Sequence, residues 1–221
     1  MKIIEKIKTN KLIDNPTKIQ KICLHKLQSS PLPNPKSELW RLSNKSKFTN
    51  CLDYSVNEKD PKFDIPYPKN SQGTIRLIIG ENYHIKLIEE NYSIQQLTND
   101  EFEKYINEQI SYFDKNENWS DLLNLSLSCT KNILGLKING SKIPPIEIFS
   151  HASNNSLNAR TLVIFLEKNC NIELLQVNLG DESSSLSQST FLCLEENSSV
   201  NHGVVSYGES KSNLLNSLNV I

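Results

Sequence analysis

Ile138-Asn139-Gly140-Ser141-Lys142-Ile143-Pro144, Leu166-Glu167-Lys168-Asn169-Cys170-Asn171-Ile172 and Leu194-Glu195-Glu196-Asn197-Ser198-Ser199-Val200 are three versions of one unit, each set 28 residues after the last. In each, an aliphatic residue closes one apolar run, a short polar stretch turns a corner, and a new run begins (Ile146-Glu147-Ile148, Ile172-Glu173-Leu174, Val200-Asn201-His202). A unit this short cannot bury its apolar side alone. Stacked copies bury a continuous core and pair each strand with the same strand of the next turn, which is the logic of a parallel β-helix. A period of 28 predicts large turns with several strands each, unlike the six-residue spacing of hexapeptide helices. A β-sandwich with evenly spaced strands is the competing fold.

Upstream of Leu134 the texture is mixed, so the sequence divides into an α+β N-terminal region (1–133) and the first turns of a right-handed parallel β-helix (134–221). Asn15-Pro16 predicts a helix start, with Ile19, Ile22, Cys23 and Leu27 on one face. Ile3, Ile4 and Ile7 suit a shorter amphipathic piece. The Pro-rich segment 31–73 reads as extended and irregular, with Trp40, Phe48, Tyr54, Phe63 and Tyr67 as packing handles. Alternation in Ile75, Leu77, Ile79 and in Tyr83, Ile85, Leu87 around Gly80-Glu81-Asn82 predicts a β-hairpin. Thr98-Asn99-Asp100-Glu101 is a capping box ahead of Phe102, Tyr105, Ile106, Ile110 and Phe113. A second helix is predicted from Ser120 to about Thr130, with Leu122, Leu123 and Leu127 inward and Trp119 as a staple.

With 24 basic and 25 acidic residues the chain has a net charge of −1, which gives no field for nucleic acid or an anionic membrane and favours a protein partner. No apolar run approaches the roughly 18 residues of a membrane span, and Met1-Lys2-Ile3-Ile4-Glu5-Lys6 does not read as a signal peptide, so a cytoplasmic location is expected. Cys23, Cys51, Cys129, Cys170 and Cys193 are too widely spaced for a zinc knuckle and odd in number for a disulfide framework. Free, buried thiols are expected.

Two stretches resemble the SufD family, the non-ATPase scaffold subunit of the SUF iron–sulfur cluster assembly complex. Leu32-Pro33-Asn34-Pro35-Lys36-Ser37-Glu38-Leu39-Trp40-Arg41-Leu42-Ser43 is similar to that family's N-terminal L-P-x-x-K/R-x-E-x-W segment. Leu122-Leu123-Asn124, Pro145-Ile146-Glu147-Ile148 and Ala159-Arg160-Thr161-Leu162-Val163-Ile164-Phe165-Leu166-Glu167 resemble, in order, its helix and the strand that enters its β-helix. The resemblance implies a non-enzymatic scaffold that pairs with a SufB-type subunit, supports a SufC-type ATPase, binds no cofactor alone and meets an iron–sulfur cluster only within the complex. Members of that family are longer, so an N-terminal portion with an incomplete solenoid is expected, and the family's late functional residues have no counterpart here.

No catalytic, cofactor or metal site is predicted. Cys170 and Cys193 stand at different points of their turns and do not converge for cluster ligation. His151 and His202 do not stack in the 28-residue register, and both are expected to face solvent, as are His25 and His84. Ser183-Ser184-Ser185 lacks the context of a nucleophile elbow, and Gly80-Glu81-Asn82 lacks the end of a P-loop. Trp40-Arg41 is either a core pin or a partner contact. The alternative reading is an independent β-helix protein that modifies or binds carbohydrate, with the recurring Glu167 and Glu195 as its acids.

Overall fold

A computed structural model describes residues 3–9, 12–29, 45–56, 74–79, 84–86, 93–98, 100–105, 121–131, 133–153 and 156–221. The 28-residue offset is the pairing register of its parallel strands. β5 (Ile133–Asn139), β7 (Ser156–Leu166), β9 (Ser185–Leu194) and β11 (Asn213–Val220) stack in one sheet, while β6 (Ile146–Ala152), β8 (Asn171–Gly180) and β10 (Ser199–Gly208) stack in the other. Ile133 lies beside Thr161, Leu157 beside Ser185, Ser185 beside Asn213, Ile146 beside Leu174, and Asn171 beside Ser199. The chain is therefore a parallel β-solenoid of about three turns over residues 133–220.

Each turn holds two long strands, where the period predicted several. The reason lies in the corners, which recur every 14 residues. Asn169, Ser183, Asn197 and Lys211 all have φ between 56° and 62°. Each is the third residue of a β-turn in which the N–H of Cys170, Ser184, Ser198 or Ser212 donates to the carbonyl three residues back. Corners also bond to one another along the stack, as in Asn169 N to Glu196 O (3.0 Å) and Glu195 N to Leu166 O (3.0 Å). Gly180 and Gly208 occupy equivalent sites at the strand ends, and a Cβ on Gly208 would lie 1.9 Å from Ser212 Oγ.

Even-numbered strand residues from Leu134 onward face the lumen between the sheets. Leu134, Leu136, Ile138, Ile146, Ile148, Leu162, Ile164, Leu166, Ile172, Leu174 and Leu192 fill one half of it with aliphatic side chains. The predicted hairpin forms between β2 (Ile75–Ile79) and β3 (His84–Lys86), with Leu77 opposite Ile85, and β2 also pairs parallel with β6. Its Ile75, Leu77 and Ile79 join the lumen core. Two unpredicted strands join the first sheet: β1 (Ser55–Val56) pairs parallel with β7, and β4 (Ser93–Gln96) antiparallel with β5. Sheet pairing thus reaches back well before residue 134.

Helices cover the outer face of the β5–β11 sheet. They are α1 (Ile3–Lys8), α2 (Lys18–Ser29), α3 (Lys45–Asp53), α4 (residues 100–105) and α5 (Asp121–Cys129). α5 matches the predicted second helix, yet it is buried from Leu123 through Cys129 on every side. Small Ser185, Ser187 and Ser189 on β9 let it approach the sheet, and Ser126 Oγ donates to Arg160 O (2.8 Å) and Ser187 O (3.1 Å). Gln20 of α2 donates through Nε2 to Thr130 O (2.8 Å), satisfying a carbonyl at the end of α5. The predicted start of α2 moves by two residues: Thr17 and Gln20 form a reciprocal capping box, and Asn15 instead takes a left-handed turn at φ 56°.

The capping box of α4 is present, with Thr98 N donating to Glu101 Oε2 (2.9 Å) and Glu101 N to Thr98 Oγ1 (3.3 Å). Thr98 Oγ1 also donates to Glu101 Oε2 (2.9 Å), and the two Thr98 donors hold the Glu101 carboxyl below its ordinary pKa. Tyr105 packs on Phe165 with ring centroids 4.7 Å apart. Part of the 31–73 prediction needs correction. Residues 45–53 form a helix because Phe48, Cys51 and Leu52 fall on one face and are buried against α1 and α5. Trp40, Phe63, Tyr67, Trp119 and the Gly80-Glu81-Asn82 turn lie outside the described residues.

Candidate functional site

All five cysteines are free and buried, as predicted. Cys170 lies in the aliphatic half of the lumen, whereas Cys193 points outward under α2 and α5. Burial raises the thiol pKa of Cys170, pushes that of Cys51 up to about 11, and pushes those of Cys129 and Cys193 up to about 12. Cys23 is raised by the same cause. Thiols in this state are poor nucleophiles and poor metal ligands. Among the described residues no three His, Cys, Asp or Glu side chains come together as a metal site.

Both repeat-region histidines depart from the solvent-facing prediction. His151 is 6% exposed, and its Nε2 lies 2.7 Å from Asp181 Oδ1. The corner after β8 brings that acid back beside the end of β6, a proximity no 28-residue comparison reveals. His202 is half-buried because its even number points it into the lumen, where Nε2 meets Gln176 Oε1 at 2.5 Å. Desolvation lowers its pKa. His25 is exposed, as predicted.

The recurring acids are corner residues. Glu167 pairs with Lys137, and Glu195 accepts from Lys168 N at 3.3 Å. Asp181 and Glu209 hold the equivalent place at the opposite edge, so each of the four left-handed corners begins with an acid. Ser183 is the left-handed corner residue, and Ser184 donates through Oγ to Asp181 O at 2.7 Å. Neither is poised as a nucleophile beside a base. Trp40-Arg41 and the rest of segment 32–43 lie outside the described residues.

What the solenoid does present is surface. The helices cover one sheet, while the outer face of the other leaves Leu175, Val205 and Tyr207 at 37%, 51% and 68% exposure. β10 and β11 are the end strands of their sheets, and neither contains Lys, Arg, Asp, Glu or Pro. Their lumen-facing Val204, Leu218 and Val220 are also exposed. Beside this end, α3 and the last corner enclose an open polar groove of about 740 Å³, lined by Asn50, Tyr54, Glu209, Lys211 and Asn213 among others. Sequence reasoning missed the groove, because it placed no helix at 45–53.

No helix among the described residues is long and apolar enough to cross a membrane. No family model matches the chain, and a search of the curated proteins finds no match.

Proposed function

We propose that the chain is a non-catalytic scaffold subunit of SUF-type iron–sulfur cluster assembly in the cytoplasm, with its solenoid wound right-handed. It pairs with a SufB-type subunit and supports a SufC-type ATPase, and the cluster is the cargo of the complex. The observation that supports this reading is the outer face of the β6–β8–β10 sheet, which the helices leave uncovered and on which Leu175, Val205 and Tyr207 are exposed. Exposed apolar side chains grouped on one face suit contact with a protein partner. The resemblance of segments 32–43 and 159–167 to SufD supplies the identity of the partners.

Coexpression with SufB-type and SufC-type subunits, followed by sizing of what copurifies, tests it. The expected product is a stable complex that contains all three chains. If the partners assemble while this chain elutes alone, the reading fails.

A further inference from the structure

One half of the lumen is aliphatic and the other is polar. Arg160, Gln188 and Asn216 lie side by side in successive turns of one sheet, and Ser150, Asn178 and Ser206 do so in the other. All six carry even numbers and face inward. Gln176 Nε2 reaches across to Thr190 Oγ1 at 2.8 Å. Because the chain reverses at the corner between them, a step of two residues along each strand sets Asn178 opposite Gln188. The upper part of this column is bonded internally: Asn178 Nδ2 donates to Asn216 Oδ1 (2.9 Å), and Asn216 Nδ2 to Ser206 Oγ (3.2 Å).

Deeper in, the bonding is incomplete. Gln188 is 2% exposed, and neither its Nε2 nor its Oε1 has a hydrogen-bond partner among the described residues. Asn178 Oδ1 and Ser150 Oγ, at 1% and 0% exposure, are in the same condition. These are two donors and three acceptors, contributed by three strands to one stretch of lumen. Buried polar groups in folded proteins are satisfied almost without exception, by protein or by ordered water. Sheet positions filled by Ile146 and Ile148 in the aliphatic half are taken here by the smaller Ser150, Ala152 and Gly180, opposite the longer Arg160 and Gln188.

We propose that Gln188, Asn178 and Ser150 form a binding site for ordered internal water, so that a hydrated polar column runs beside the aliphatic core along the solenoid axis. The ligand is small, and it both donates and accepts, which matches the mixed donor and acceptor set. The site is independent of the scaffold reading.

The test is water-selective cross-relaxation in the isotope-labelled chain, read at the Gln188 side-chain amide, together with oxygen-17 relaxation dispersion of the native chain and of Gln188→Met. The expected result is a direct, long-lived water contact at the Gln188 amide and the loss of about one or two long-lived waters in the variant. Absence of that contact overturns the proposal, and the native-chain spectrum decides this even if the variant does not fold. Titration with chloride against a bulky organic anion at fixed ionic strength supplies the other arm. If chloride shifts the Gln188 amide and abolishes the water contact, the occupant is an anion and the proposal is wrong.

Discussion

Glycine at Ser183 should stabilise this chain, and the size of the gain follows from the corner geometry. Ser183 holds φ 56°, a left-handed conformation that costs an ordinary L-residue roughly 1–2 kcal/mol. Its backbone N–H donates to Ser210 O at 3.0 Å, a bond glycine retains. Glycine removes the steric cost but loses about 0.5–1 kcal/mol through the greater freedom of the unfolded chain. The net gain is about 0.5–1 kcal/mol, which for a chain of this size raises Tm by about 1–4 °C. Lys211, at φ 62°, should respond alike. Asn169 and Asn197 occupy the same corner position at φ 61° and 58°, but asparagine tolerates this region well, so their glycine variants should stay within about 0.5 kcal/mol of the parent. Ser183→Val, which forces a β-branched residue into the same turn, should lower Tm. Thermal and urea unfolding of the five variants is the assay. Equal responses at serine and asparagine corners, or a stability loss in Ser183→Gly, would refute the argument.

Gln20→Leu should cost about 1–3 kcal/mol, measured by urea unfolding, because it leaves the buried carbonyl of Thr130 without its donor. Phe191→Ala, which empties a fully buried site beneath α2 and α5, should cost about 3–5 kcal/mol by the same measurement. For pH, desolvation places the folded pKa of His202 below its unfolded value near 6.5. Its contribution to stability is therefore complete above that value and is lost as pH falls through the folded pKa; urea midpoints from pH 7.5 to 5 should show a component of this sign that His202→Gln removes. In the native state a thiol reagent at pH 8 should label the five cysteines only at the rate of unfolding, and full labelling should follow denaturation.

The stacking register was legible because it depends only on which positions are aliphatic, and Ile138, Leu166 and Leu194 mark it directly. The half-period of 14 was not. Opposite corners share a shape and a leading acid but little else, since Asn, Ser and Lys fill the left-handed position where glycine would have announced it. Polar residues at even positions, such as Gln176, Asn178 and Gln188, read as outward-facing in an alternating strand. Only the 28-residue register, applied position by position, places them in the lumen. The role of β2 was hidden for a different reason: Ile75 pairs with Ile146 across 71 residues, a separation unrelated to the repeat. At 45–53 the surrounding prolines outweighed the local spacing of Phe48, Cys51 and Leu52, which was the better guide.

The two sheets of the solenoid face different surroundings, and this asymmetry bears on what the chain can contribute to an assembly. Beneath the helices, β7 and β9 are buried on both faces and bonded to α5 through Ser126, so that side is a rigid spine. β10, by contrast, is exposed or half-exposed along its whole length, with Val205 and Tyr207 on its outer face. The thiols lie in the core, with pKa values raised by burial. Buried in this way, they are shielded from reagents in the native state. For the scaffold proposed above, the contribution is geometric: a frame whose helix-free sheet face is left to meet a partner.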